Sequence, residues 1–119
     1  MSSRISIRHR LLAMSLVLLA AVLIGTGSRA VDKETARPRT HTVLIKGFEF
    51  VPPTLEVRPG DTVVWKNEDI VPHTATAESD FDSGGLDQGE SWQFVAKKKG
   101  SFAYICTYHP TMKGSLIVR

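Results

Sequence analysis

The chain has a single cysteine, Cys106. One thiol cannot close an internal disulfide, so no covalent staple holds this fold. Methionine and histidine are also scarce: Met1, Met14 and Met112; His9, His41, His73 and His109. So small a stock of ligands excludes a catalyst with several copper sites, and no enzyme is expected. There is no internal repeat. Beyond residue 30 no stretch carries the apolar period of a helix. The Asp- and Gly-rich stretch Ser79 to Gly89 lacks the spacing of an EF-hand loop and reads as solvated acid.

The first thirty residues stand apart. Arg4, Arg8 and Arg10 lead into an almost wholly apolar run from Leu11 to Ile24, followed by small residues. That order of basic, apolar and small segments is a secretory signal. Ser28-Arg29-Ala30 places small residues where a signal peptidase reads, so the cut is expected after Ala30, with Gly27 as the alternative. An uncleaved anchor is the competing reading, but a span needs roughly 20 apolar residues and this run is shorter. His9 separates Arg8 from Arg10, so there is no twin arginine. Export of the unfolded chain, with metal loading afterwards in the periplasm or its equivalent, is expected. Removing residues 1–30 takes four of the fifteen Lys and Arg and none of the twelve acids, leaving 89 residues with a net charge of −1. No basic stripe then points to nucleic acid. No membrane span remains, and a monomer is expected.

Residues 31–40 are polar, with Pro38, and read as a loose tail. Residues 41–119 read as one all-β domain. Thr42 to Lys46 is a β-branched run, Phe48-Glu49-Phe50 alternates, and Pro52-Pro53 breaks the ladder because proline has no N–H to donate. Leu55 and Val57 share a face. Arg58-Pro59-Gly60-Asp61 is turn chemistry, and Val63 and Trp65 share a face beyond it, so these two strands read as a hairpin. Trp92 and Phe94 alternate, as do Phe102, Tyr104 and Cys106, then Leu116 and Val118. Seven or eight short strands at this turn spacing predict a β-sandwich or barrel.

Cys106, His109 and Met112 fall three residues apart. One thiol, one imidazole and one thioether make a mixed donor set: sulfur favours Cu(I), and imidazole accepts Cu(I) and Cu(II). The set lacks a second imidazole. His9 lies in the signal and His41 near the tail, so His73 is the expected supplier. A free cysteine is often only a buried apolar residue, but two further donors at the next two steps argue for a metal. Zinc is the rival, and thioether is a poor ligand for it. Two imidazoles, one thiolate and a long axial thioether describe a blue-copper centre.

Phe50-Val51-Pro52, Leu55-Glu56-Val57, Gly60 to Asn67 and Pro72-His73-Thr74 resemble, in order, segments of the cupredoxins, the small blue copper proteins. The C-x2-H-x2-M spacing resembles the short ligand loop of their amicyanin branch. The resemblance implies an all-β Greek-key β-sandwich holding one type 1 copper on His73, Cys106, His109 and Met112. It implies a one-electron carrier that docks redox partner proteins near His109, with a reduced-state protonation of His109. A copper chaperone or copper-resistance protein is the alternative. Two departures from the amicyanin pattern carry expectations. Tyr108 stands at a proline position, and its N–H is expected to point at Cys106 Sγ. Thr74 stands where many relatives have Asn, and its hydroxyl is expected to bridge the two ligand loops.

Overall fold

The computed structural model describes residues 37–119, so the expected signal and most of the tail lie outside the described residues. Nine strands and no helix are found among them: β1 (Thr40–Lys46), β2 (Glu49–Val51), β3 (Thr54–Val57), β4 (Thr62–Asn67), β5 (Thr76–Ala77), β6 (Phe81–Asp82), β7 (Ser91–Val95), β8 (Gly100–Ile105) and β9 (Lys113–Val118). One sheet runs β2-β1-β4-β7 and the other β3-β9-β8-β5-β6. β1 with β4 and β3 with β9 are parallel pairs.

The period-2 pattern decides what faces inward. Val43 and Ile45 of β1, Val63 and Trp65 of β4, and Leu116 and Val118 of β9 are all buried. Rings join the two sheets: Trp65 meets Phe81 at 5.2 Å and Tyr104 at 5.5 Å, and Phe50 meets Tyr104 at 4.7 Å. Each large side chain buried this way contributes about 2–3 kcal/mol relative to exposure.

Three local expectations are corrected. β3 and β4 do not form a hairpin. The turn between them is tight, with Asp61 N–H donating to Arg58 O at 3.0 Å, but it carries the chain from one sheet to the other. Turn chemistry sets a reversal; it does not set which sheet the returning strand joins. The acid-rich stretch is not only a solvated loop. Phe81 forms part of β6 and is 6% exposed, and Leu86 is 4% exposed, so apolar side chains anchor it to the core. Phe48 does not continue a strand. With Gly47 at φ 61° and Phe48 at φ 60°, the two form a left-handed two-residue turn between Lys46 and Glu49.

At the other end, Asp61 fastens the starts of β1 and β4. Its carboxylate accepts the N–H groups of Arg39 (2.8 Å) and Arg58 (3.1 Å) and meets His41 Nε2 at 2.9 Å. Burial alone would raise its pKa. The Arg39 N–H, the His41 imidazole and the Arg58 N–H more than offset that, and the group is held at about 2. A depressed folded pKa stabilises above the unfolded value of 3.8 and is lost as pH falls through 2. The stabilisation is about 2 kcal/mol. Urea unfolding of the parent should therefore weaken relative to Asp61→Asn between pH 4 and pH 2 by about that amount. Parallel pH profiles for the two proteins would contradict it.

Candidate metal centre

β8 delivers Cys106 one residue past its end, and β9 begins at Lys113. The intervening loop closes on itself. His109 N–H donates to Cys106 O (3.2 Å), Met112 N–H to His109 O (2.9 Å) and Cys106 N–H to Met112 O (3.2 Å). Cys106 is fully buried, Met112 is 4% exposed and His109 is half-buried. His73 comes from the far side of the chain. It is bridged to Leu86 by two backbone hydrogen bonds, 3.1 and 2.8 Å, and is fully buried. Asn67 shapes the approach: its Nδ2 donates to Val71 O and Leu86 O, both at 2.8 Å, and its Oδ1 accepts Asp69 N–H at 2.9 Å.

The three donor atoms form a near-equilateral triangle. Cys106 Sγ lies 3.6 Å from His73 Nδ1 and 3.7 Å from His109 Nδ1, and the two Nδ1 atoms are 3.2 Å apart. A point equidistant from all three sits about 2 Å from each, close to the bond lengths of a first-row metal to imidazole and thiolate. Electron-rich atoms converging on one buried point suit a cation there. One thiolate with two imidazoles is a set that accepts copper in both oxidation states.

Surrounding groups fix this geometry. Asp69 Oδ2 lies 2.9 Å from His73 Nε2. Burial works to raise that carboxyl, but the N–H groups of Phe48 and Gly47 and the His73 imidazole hold it below the usual carboxylate range. A carboxylate only accepts, so His73 donates through Nε2–H and its Nδ1 lone pair faces the triangle. Asp69 also accepts the N–H of Gly47 (2.7 Å) and Phe48 (2.9 Å), holding the left-handed turn. That turn stands the Phe48 ring edge-on against both imidazoles, 5.2 Å from His73 and 5.1 Å from His109. A bulky residue at positive φ costs about 1–2 kcal/mol, which the paired bonds to Asp69 offset. Sequence reasoning missed Asp69 and Phe48. The available signal was an acid four residues before the expected ligand.

The bridge expected of Thr74 is present. Its Oγ1 accepts Thr107 N–H at 2.8 Å and lies 3.1 Å from Thr107 Oγ1. The donor on the sulfur differs from expectation. Thr74 N–H reaches Cys106 Sγ at 3.3 Å, while Tyr108 is exposed and lays its hydroxyl over Gly85, where a Cβ would lie 2.7 Å from it. Thr74, tied to Thr107 through its hydroxyl, is held where its own N–H meets the sulfur. His41 takes no part in the site and pairs with Asp61 instead.

The chain matches the Cupredoxin-like domain family over residues 14–118. It is 27% identical to amicyanin of Paracoccus versutus, over 94% of this chain and 98% of that protein. It is 31% identical to the methylamine utilization protein MauL of Methylophilus methylotrophus, over 87% of this chain and 65% of that one. A solved amicyanin variant in its oxidised state superposes with a TM-score of 0.65 at 26% identity, covering 67% of this chain and 82% of that one. With its two-sheet sandwich and its His–Cys–His triangle, the chain belongs to the cupredoxin-like domain family.

Proposed function

We propose that this protein is an exported one-electron carrier in which His73, Cys106, His109 and Met112 hold one type 1 copper ion. The observation that carries the reading is the triangle of Sγ and two Nδ1 atoms, already sized for a single ion. Bound copper supplies the one-electron chemistry, between Cu(II) and Cu(I). The chain supplies a geometry that need not change with oxidation state. Asp69 and Leu86 clamp His73, Thr74 N–H fixes the sulfur, and Thr74 with Thr107 locks one loop to the other. Met112, buried and tied by its backbone to Cys106 and His109, would supply the fourth, thioether donor. Among the ligands His109 alone is only half-buried, so it is the electron port. Exposed Phe48, Ile70 and Tyr108 give the chain apolar side chains for brief docking of a redox partner protein. Residues 1–30 are the proposed export signal.

A redox titration tests the carrier role. The copper-loaded protein should fit a one-electron curve and keep its metal through repeated cycles against a Cu(I) chelator. Loss of copper on reduction would instead favour a metal-delivery protein.

The support around the ligands should be measurable too. Asp69→Ala removes the acceptor of His73 Nε2–H and both bonds to the Gly47–Phe48 turn. Copper affinity, read by chelator competition, should fall roughly 10- to 100-fold. An unchanged affinity would show that His73 needs no such orientation.

A further inference from the structure

The described residues carry equal numbers of basic and acidic side chains, but the two signs are segregated. Of the ten Lys and Arg between residues 37 and 119, seven lie at the pole opposite the metal centre: Arg37, Arg39, Arg58, Lys97 to Lys99 and Arg119. The pairings place them together. β1 and β4 start there, β3, β7 and β9 end there, and Ala96 to Gly100 turns there. Ala96 is held to Asp61 and Gly60, Arg39 O to Thr62, and Arg119 N–H to Val57 O. Arg37, Arg58, Lys99 and Arg119 line one open cleft of about 380 Å³ on this end. Among the described residues only two carboxylate side chains share the pole, and both are engaged. Asp61 is buried under its three donors, and Glu56 accepts both guanidinium bonds of Arg119 at 2.6 Å. The other acids of the described residues lie along the flank or around the metal end, among them Glu68, Asp69, Asp87 and Glu90.

We propose that this basic pole docks the protein on a bilayer surface containing anionic phospholipid. Such a surface attracts clustered Lys and Arg whatever the net charge of the whole protein, because the field decays within about a Debye length. Only the near pole feels it. Apart from the engaged Asp61 and Glu56, the acids of the described residues lie along the flank or toward the far end. The partner is a lipid surface rather than a folded pocket for one anion. The cations sit on four separate segments around the end of the sandwich, and Lys97, Lys98 and Lys99 are all exposed between β7 and β8. β8 runs from this pole to the metal centre, and its six residues span about 20 Å. Docking by the basic pole therefore turns His109 and its surroundings away from the lipid, toward partners.

The test uses the product secreted from the full chain, mixed with phosphatidylcholine vesicles or with phosphatidylcholine–phosphatidylglycerol vesicles and pelleted. Protein should pellet with the anionic vesicles alone and be released by salt. Lys97→Gln with Lys98→Gln should weaken that partition roughly 30-fold. Lys46→Gln with Lys66→Gln makes the same change in net charge on strands β1 and β4 and should weaken it less than about 3-fold. Acetylation of the bound protein should spare Lys97 to Lys99 and modify Lys113, beside the metal loop. No uptake, equal uptake by neutral vesicles, equal losses in the two double variants, or protection of Lys113 instead would each overturn the proposal. None of these readouts needs copper, so they stand or fall apart from the electron-carrier reading.

Discussion

Cys106→Ser should abolish the intense visible absorption expected of the copper-loaded protein. That band requires a covalent copper–thiolate bond, and this chain has no other sulfur of that kind. An alkoxide or hydroxyl at the same point is a harder donor, so Cu(I) is held less well than Cu(II), and the reduction potential should fall. The scaffold should survive the change. Serine is close in size, the position is fully buried, and Thr74 N–H can still donate to an oxygen there. The expected signature is thus loss of colour with an unchanged fold, read from absorption and from far-ultraviolet circular dichroism on one sample. Retained colour would remove Cys106 from the site.

Gly114→Ala is expected to be the most destabilising small substitution in the domain. Gly114 lies directly across the ladder from Tyr104, and a Cβ there would overlap the Tyr104 ring. The ring cannot step aside. Tyr104 is 2% exposed and is packed by Phe50 at 4.7 Å, Trp65 at 5.5 Å and Phe81 at 5.7 Å. Overpacking at such a point costs about 3 kcal/mol. Because Gly114 follows Met112 by two residues, relief by backbone movement would reach the ligand loop. Urea unfolding of metal-free protein measures the cost. A double variant identifies its cause: on a Tyr104→Leu background, Gly114→Ala should cost less than about 1 kcal/mol. Equal costs on both backgrounds would place the strain elsewhere.

Much of this was legible in the residues. Alternation in Thr62–Asn67 and Lys113–Val118 exposed the core faces because the strand period is two and one face of each is buried. The triangle was legible because C-x2-H-x2-M is compact and because His73 was the remaining imidazole. What stayed hidden depends on distant segments meeting. The pairing of β3 with β9 rather than β4 cannot be read from a turn, since Val57 and Val63 look equally apolar in either arrangement. Phe81 and Leu86 were masked by the acids around them. Asp69 acts through a turn 21 or 22 residues earlier in the chain, and Phe48 reaches the imidazoles only because that turn is left-handed.

The most direct test of the copper triangle is a titration of metal-free protein with Cu(II), followed by electron paramagnetic resonance. The account predicts saturation at one ion per chain, with the compressed copper hyperfine splitting of a thiolate-bonded trigonal site. A spectrum of ordinary tetragonal copper, or a signal unaltered by His73→Ala, would contradict it.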